Sequence, residues 1–187
     1  MSSIECNKYI DKNIDKEVIN HNKIDIILKI INLFKPYGDG QVKEKFHKFN
    51  LTRNITDIQI YTHICFIYAI YIANQNQMFD LFVLLSIMTP LSVMYHIYYE
   101  KQGLLAKVEG FFAKVLFIYG FIQLFNANTN LLLCLECLFM VSTIAVYVIT
   151  NIKKDLYEPY HCLMHIIPAI WAGIIAHYHP SLIKIFR

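Results

Sequence analysis

The sequence predicts an all-α fold: a polytopic transmembrane helix bundle of about five spans, preceded by an amphipathic N-terminal segment. Three observations predict it. Of 187 residues, 56% are hydrophobic and only 17% charged, against roughly 25% charged in an average soluble domain. The mean hydropathy is +0.40. The charges crowd into residues 1–56, and from Asp57 on long apolar runs follow one another with short polar breaks. Such a composition excludes a disordered chain, which lacks apolar residues. It also argues against an ordinary soluble domain. A net charge of +3 is too small to suggest a nucleic-acid binder.

The chain divides into a cytoplasmic N-terminal region (1–56), a transmembrane domain (57–180) and a short C-terminal tail (181–187). Residues 1–16 are polar and have no apolar core beside a basic start. They do not read as a signal peptide, so the first span is expected to direct insertion. In residues 17–35, Ile24, Ile27, Leu28, Ile31 and Phe34 recur at helical spacing. Lys23, Asp25 and Lys29 interrupt them. This fits a helix lying on a membrane surface rather than crossing it. The PYGDG stretch at 36–40 ends it.

The spans are expected at 57–74, 78–99, 104–125, 129–150 and 159–178. Each is near the roughly 20 residues that a bilayer crossing needs. The breaks contain NQNQ, EKQG, NANTN and NIKKDLYEP, all polar and turn-prone. Lys and Arg set the orientation. The N-terminal region is rich in both; the 100–107 loop has Lys101 and Lys107, and the 151–158 loop has Lys153 and Lys154. The two intervening loops have neither. The N-terminus and the two basic loops should therefore face the cytoplasm. Lys184 and Arg187 are the exception. An endomembrane is the favoured location. The sequons at Asn50 and Asn54 would then lie on the cytoplasmic side and carry no glycan.

The five cysteines, Cys6, Cys65, Cys134, Cys137 and Cys162, are odd in number and irregular in spacing. They form no disulfide framework and read as small buried hydrophobes. Ionisable groups within spans are costly and need a reason. The candidates are His63, His96, Glu109, Lys114, Glu136, His161 and His165. Under the topology above, Ser92 and His96 lie at the cytoplasmic end of the second span. Glu109 lies one to two turns into the third, and His161 and His165 lie in the first turns of the fifth. Five polar side chains from three helices thus converge at one depth. His161-x-x-x-His165 puts two imidazoles on one helix face, the chelating spacing of helical zinc sites. Ser92-x-x-x-His96 has the same period. His96, His161 and His165 would give zinc three ligands and leave a position open for water, as catalytic sites do. Glu109 would act as general base or hold the water. Ser92 would bond the water or a developing oxyanion.

Blander readings exist for each residue. An isolated pair of histidines at this spacing is a weak signal, and a serine at a helix contact is routine in membranes. Glu109 can pair with Lys114. His63, a turn and a half into the first span and also near the cytoplasm, reads mainly as a packing residue, with a place behind the metal ligands as the alternative. Glu136 pairs with Lys114 or stays protonated in a helix contact. His177 and His179 read as interfacial, and Trp171 as lipid-facing.

The constellation resembles the CREST superfamily of membrane hydrolases, which includes the alkaline ceramidases, the adiponectin/progestin-receptor-like proteins and the myomaker-like proteins. Its pattern is S-x-x-x-H late in one helix, an acid early in the next, and H-x-x-x-H in the last. Here these are Ser92-Val93-Met94-Tyr95-His96, Glu109, and His161-Cys162-Leu163-Met164-His165. The resemblance covers about residues 57–178. Glu109 stands where the family normally carries Asp, and about five spans are legible where the family core has seven. The resemblance implies His96, His161 and His165 as zinc ligands, with Ser92 and Glu109 as catalytic supports. It implies hydrolysis of an amide or ester bond of a membrane lipid, ceramide-like, near the cytoplasmic face. A metal-stabilised scaffold or fusion-type protein of the same fold is the alternative. A third reading places a haem between His96 and His161 or His165.

Overall fold

A computed structural model describes residues 52–101, 103–152 and 157–185. The amphipathic helix expected at 17–35 lies outside the described residues, as do Lys153 and Lys154. The described residues form helices and no strand. In chain order these are α1 (Ile58–Tyr61), α2 (Ile64–Gln75), α3 (Phe79–Ile97) and α4 (Leu104–Gln123). After a 3-10 turn at Leu124–Asn126 come α5 (Asn130–Ile152), α6 (Tyr157–Tyr178) and α7 (Leu182–Ile185).

Among the described residues, four helical stretches are long and apolar enough to cross a membrane: Phe79–Ile97, Leu104–Asn126, Asn130–Ile152 and Pro159–Tyr178. These match four of the five expected spans. Their outer faces are apolar too, with Leu104, Phe125 and Leu131 among the exposed side chains. A helix apolar on all sides belongs in lipid, not at a water-facing surface. The chain therefore has the make-up of an integral membrane protein.

The first expected span differs. It is broken at Thr62 and His63 into the 4-residue α1 and the 12-residue α2. The backbone stays right-handed through the break, but its bonds tighten. His63 N–H donates to the Ile60 carbonyl and Cys65 N–H to the Thr62 carbonyl, the i→i−3 pattern of a 3-10 turn. Local side chains compete for the same carbonyls. The Thr62 hydroxyl donates to the Gln59 carbonyl at 3.3 Å, and His63 Nδ1 meets the Ile60 carbonyl at 3.1 Å. Thr62 and His63 are buried, so this irregular backbone is enclosed by protein, the setting in which a membrane domain tolerates it.

α2 packs between α3 and α6, α4 lies on α3, and α5 lies on α6. The α2–α6 seam is made of small residues: Ala69 and Ala73 on one helix, Ala169, Ala172 and Ala176 on the other, all buried. Such residues let helix backbones approach closely where lipid removes the usual hydrophobic drive. Trp171 is buried, not lipid-facing. Its ring lies over Gly120 and meets Phe117 edge-on.

The end of the bundle where α6 finishes is fastened by one polar contact to each neighbouring helix. Asn76, just past α2, donates to the Ala176 carbonyl at 2.7 Å. Asp80 of α3 accepts from Leu182 N–H at 2.7 Å. Gln123 of α4 donates to the Pro180 carbonyl at 3.1 Å. Glu136 of α5 meets His179 Nε2 at 2.6 Å, and both side chains are fully buried. This corrects two expectations: His179 is not interfacial, and the partner of Glu136 is His179. Lys114 is exposed, as is His177. Cys65, Cys134, Cys137 and Cys162 form no disulfide among the described residues; of the four only Cys162 is buried, and Cys134 is exposed rather than buried as expected.

Candidate metal centre

The opposite end of the bundle, where α3 finishes and α4 and α6 begin, holds the histidines. Ser92 and His96 sit one turn apart on α3 and are both buried. His161 and His165 sit one turn apart near the start of α6. Glu109 is in the second turn of α4. Each of the five residues singled out in the sequence arrives at this end. Ser92 Oγ donates to Glu109 Oε1 at 3.2 Å. His161 Nε2 lies 3.2 Å from His96 Nε2. The His96 ring lies 4.7 Å from that of His161 and 5.0 Å from that of His165, centroid to centroid.

A sixth residue joins them. His63, expected mainly to pack, lies 3.8 Å from His165 and 5.3 Å from His96 between ring centroids. Its Nε2 is 2.9 Å from Ser92 Oγ. Among the described residues, His63, His96 and His165 form the group whose ligand atoms all lie within 4.8 Å of one another, and all three are buried. His161 is half-buried at the edge, stacked on Tyr157. Read as a continuous span, the sequence puts His63 near the depth of this site but does not make it a ligand. The tightened turn at Thr62–His63 aims it there.

The hydrogen bonds fix how each imidazole is wired. His96 Nδ1 meets the Glu100 carboxylate at 2.7 Å. His63 Nδ1 meets a backbone carbonyl, which only accepts. His165 Nδ1 meets Thr62 Oγ at 2.8 Å. Thr62 Oγ also lies 3.3 Å from the Gln59 carbonyl; with the hydroxyl proton assigned there, His165 Nδ1 is the donor. All three rings thus carry their proton on Nδ1, assigned from the network. His96 and His165 keep their Nε2 lone pairs for a ligand, and His63 Nε2 faces Ser92 Oγ at 2.9 Å. Metal-binding histidines are wired in this way, with the outer N–H held by a carboxylate, carbonyl or hydroxyl.

The fit to zinc follows from these distances. A Zn–N length of about 2.0 Å at tetrahedral angles separates ligand nitrogens by roughly 3.3 Å. The His96–His161 pair already stands at 3.2 Å. The buried group of three is looser, within 4.8 Å, and its rings need a small inward shift to close on one ion. Imidazole nitrogens with a carboxylate beside them suit zinc and other borderline transition metals rather than calcium or magnesium. The arrangement does not suit a haem. His96 is in edge contact with both His161 and His165, which leaves no room for a macrocycle between them.

Glu100 was missed in the sequence because it reads as a charge in the EKQG loop. It is fully buried, and Arg53 Nη2 approaches its carboxylate to 3.6 Å. A charged pair followed by a loop carries no signal that its carboxylate turns back into a bundle.

Comparison with known proteins adds no relative. No family model, no curated protein and no solved structure matches this chain.

Proposed function

We propose that this protein is a zinc-dependent integral-membrane hydrolase that cleaves an amide or ester bond of a lipid. The observation that carries the reading is the set of three buried imidazoles whose ligand nitrogens lie within 4.8 Å of one another, each with its Nδ1 against a hydroxyl, a carbonyl or a carboxylate. His63, His96 and His165 are the proposed ligands, and His161 stands at the mouth. The resemblance to the CREST superfamily gives His161 the place taken here by His63; His96 and His165 are common to both sets. Zinc, when bound, supplies Lewis acidity and brings the pKa of a bound water to about 7.

The chain's own groups do the rest. Glu109 accepts the water's proton, and its carboxylate is aimed by the Ser92 hydroxyl. Ser92 lies between Glu109 and His63; once Glu109 has taken up the water's proton, the hydroxyl is free to turn and donate to oxygen as negative charge develops there. No nucleophilic side chain with a base of its own is needed, and water attacks directly. The site sits at one end of the bundle, which the Lys and Arg pattern puts at the cytoplasmic face. A bond near the lipid headgroup region would reach it. Ceramide-like amides are the substrate class the resemblance favours.

The test is turnover of a lipid panel containing ceramides and glycerol esters by detergent-purified protein, beside Glu109→Ala and His165→Ala. Release of fatty acid by wild type, lost in both variants, is the expected result. Turnover that survives both substitutions refutes the mechanism.

One observation favours a second reading. Four imidazoles meet here, enough to fill a tetrahedral ion and leave no position for water. A scaffold or fusion-type protein stabilised by such a closed site would bind metal and turn over nothing. Ser92→Ala would then be silent, while His96→Ala would lower folded yield.

A further inference from the structure

We propose that Glu100 is the positioning residue of this metal centre and that Arg53 holds it in place. The proposal rests on reading the histidines as metal ligands. Glu100 lies beyond the end of α3, four residues after His96, where a side chain would ordinarily leave the bundle. Instead it is fully buried, and its Oε1 takes the Nδ1 proton of His96 at 2.7 Å.

The backbone is distorted to achieve this. Tyr99 and Glu100 have φ of 54° and 50°. Two consecutive left-handed residues, neither of them glycine, are uncommon. Glu100 N–H donates to the Tyr95 carbonyl at 2.9 Å and Tyr99 N–H to the His96 carbonyl at 3.0 Å. These bonds end the helix as a C-terminal cap does, and glycine makes such a cap without strain. The sequence places Tyr-Glu there. What the strained choice provides, and glycine cannot, is a carboxylate on the outer nitrogen of His96. Strain of this kind collects where a side chain must be aimed.

Arg53 completes the arrangement. Its side chain is buried, with Nη1 on Asp57 at 3.0 Å and Nη2 3.6 Å from Glu100. Its guanidinium lies 4.5 Å over the Tyr99 ring. Its backbone N–H donates to the Ile97 carbonyl at 2.9 Å, which pins the segment before α1 against the end of α3. A buried carboxylate between an arginine and an imidazole is a costly way to stabilise a fold. It is an effective way to hold a ligand ring. The carboxylate fixes tautomer and ring plane, makes Nε2 a stronger donor to metal, and offsets part of a dication's charge. The chain Asp57–Arg53–Glu100–His96 thus ties the membrane-proximal segment to the metal.

The test titrates detergent-purified protein with zinc alone and with cobalt(II) alone. It compares wild type, Glu100→Ala, Glu100→Gln and Arg53→Met, and measures the melting of each metal-free form. Second-sphere partners typically contribute 10- to 100-fold in affinity, and Glu100→Ala is expected to lose roughly that much and to alter the visible spectrum of bound cobalt. Glu100→Gln, whose amide oxygen still accepts from His96 Nδ1, should retain more affinity than Ala. Arg53→Met should weaken binding less than Glu100→Ala. Wild-type affinity and spectrum in Glu100→Ala, with lower metal-free melting, would reduce Glu100 to a helix cap and overturn the proposal. If Glu100→Ala does not fold, Glu100→Met, which fills the same space with no acceptor for His96 Nδ1, takes its place, and an unchanged affinity and spectrum there overturns it equally. Absence of metal binding in folded wild type would remove the metal reading itself. Equal binding by wild type and variant would remove only the role of Glu100.

Discussion

Gly120 and Trp171 show how little room single residues have in this bundle. A Cβ added at Gly120 would come 2.9 Å from Trp171 Cη2, and the indole is buried among α4 and α6. Gly120→Ala should therefore lower stability by about 1–3 kcal/mol, read as a drop in melting temperature in detergent. An unchanged melting temperature would mean the ring can step aside. The imidazoles allow a sharper comparison. His165→Ala removes a ligand shared by the structure and by the resemblance, and metal content should fall to background. His63→Ala and His161→Ala separate the two proposed ligand sets. Loss of stoichiometric metal in the first and its retention in the second is the expected pattern; the reverse would restore His161 as third ligand.

At the level of elements, the α2–α6 seam is the contact that sets the site. α6 carries His161 and His165, and α2 begins at His63. Ala69, Ala73 and Ala176 are completely buried between these helices. Ala176→Leu should cost about 1–3 kcal/mol by overpacking, seen as reduced melting temperature and lower folded yield. Each of the two long ligand helices carries a proline on the inner side of the site. Pro90 precedes Ser92 in α3, and Pro168 follows His165 in α6. Each removes one backbone bond from its helix. The four long spans were legible in the sequence, because twenty apolar residues between polar breaks leave few alternatives. The break in the first span was not. Its residues are apolar and helix-compatible, and the change comes from Thr62 and His63 bonding the carbonyls behind them. Hydrophobic pattern does not record such local competition.

On the scale of the whole molecule, the bundle has two unlike ends. One is closed by four polar contacts from the segment around Ala176–Leu182. The other gathers Ser92, His96, Glu109, His161, His165 and His63. The convergence of the first five was legible because Lys and Arg fix the direction of each span, and direction fixes depth. His179 and Glu100 escaped the same reasoning. Both lie just beyond helix ends, where depth along a span no longer predicts burial, and both are turned inward by bonds formed at the helix terminus. If the histidines hold an ion, metal and folding are linked. Chelation should lower the melting temperature and zinc should restore it; zinc at 100 times its Kd stabilises by about 2.7 kcal/mol. A melting curve indifferent to chelator and zinc would break that link.

The proposed function requires that the buried imidazoles hold one metal ion. Elemental analysis of detergent-purified protein, with the His96→Ala/His165→Ala double variant beside it, tests this most directly. About one zinc per folded chain in wild type and none in the variant is the expected result. Well-folded wild type without metal would contradict the claim and leave the histidine cluster as a packed polar core.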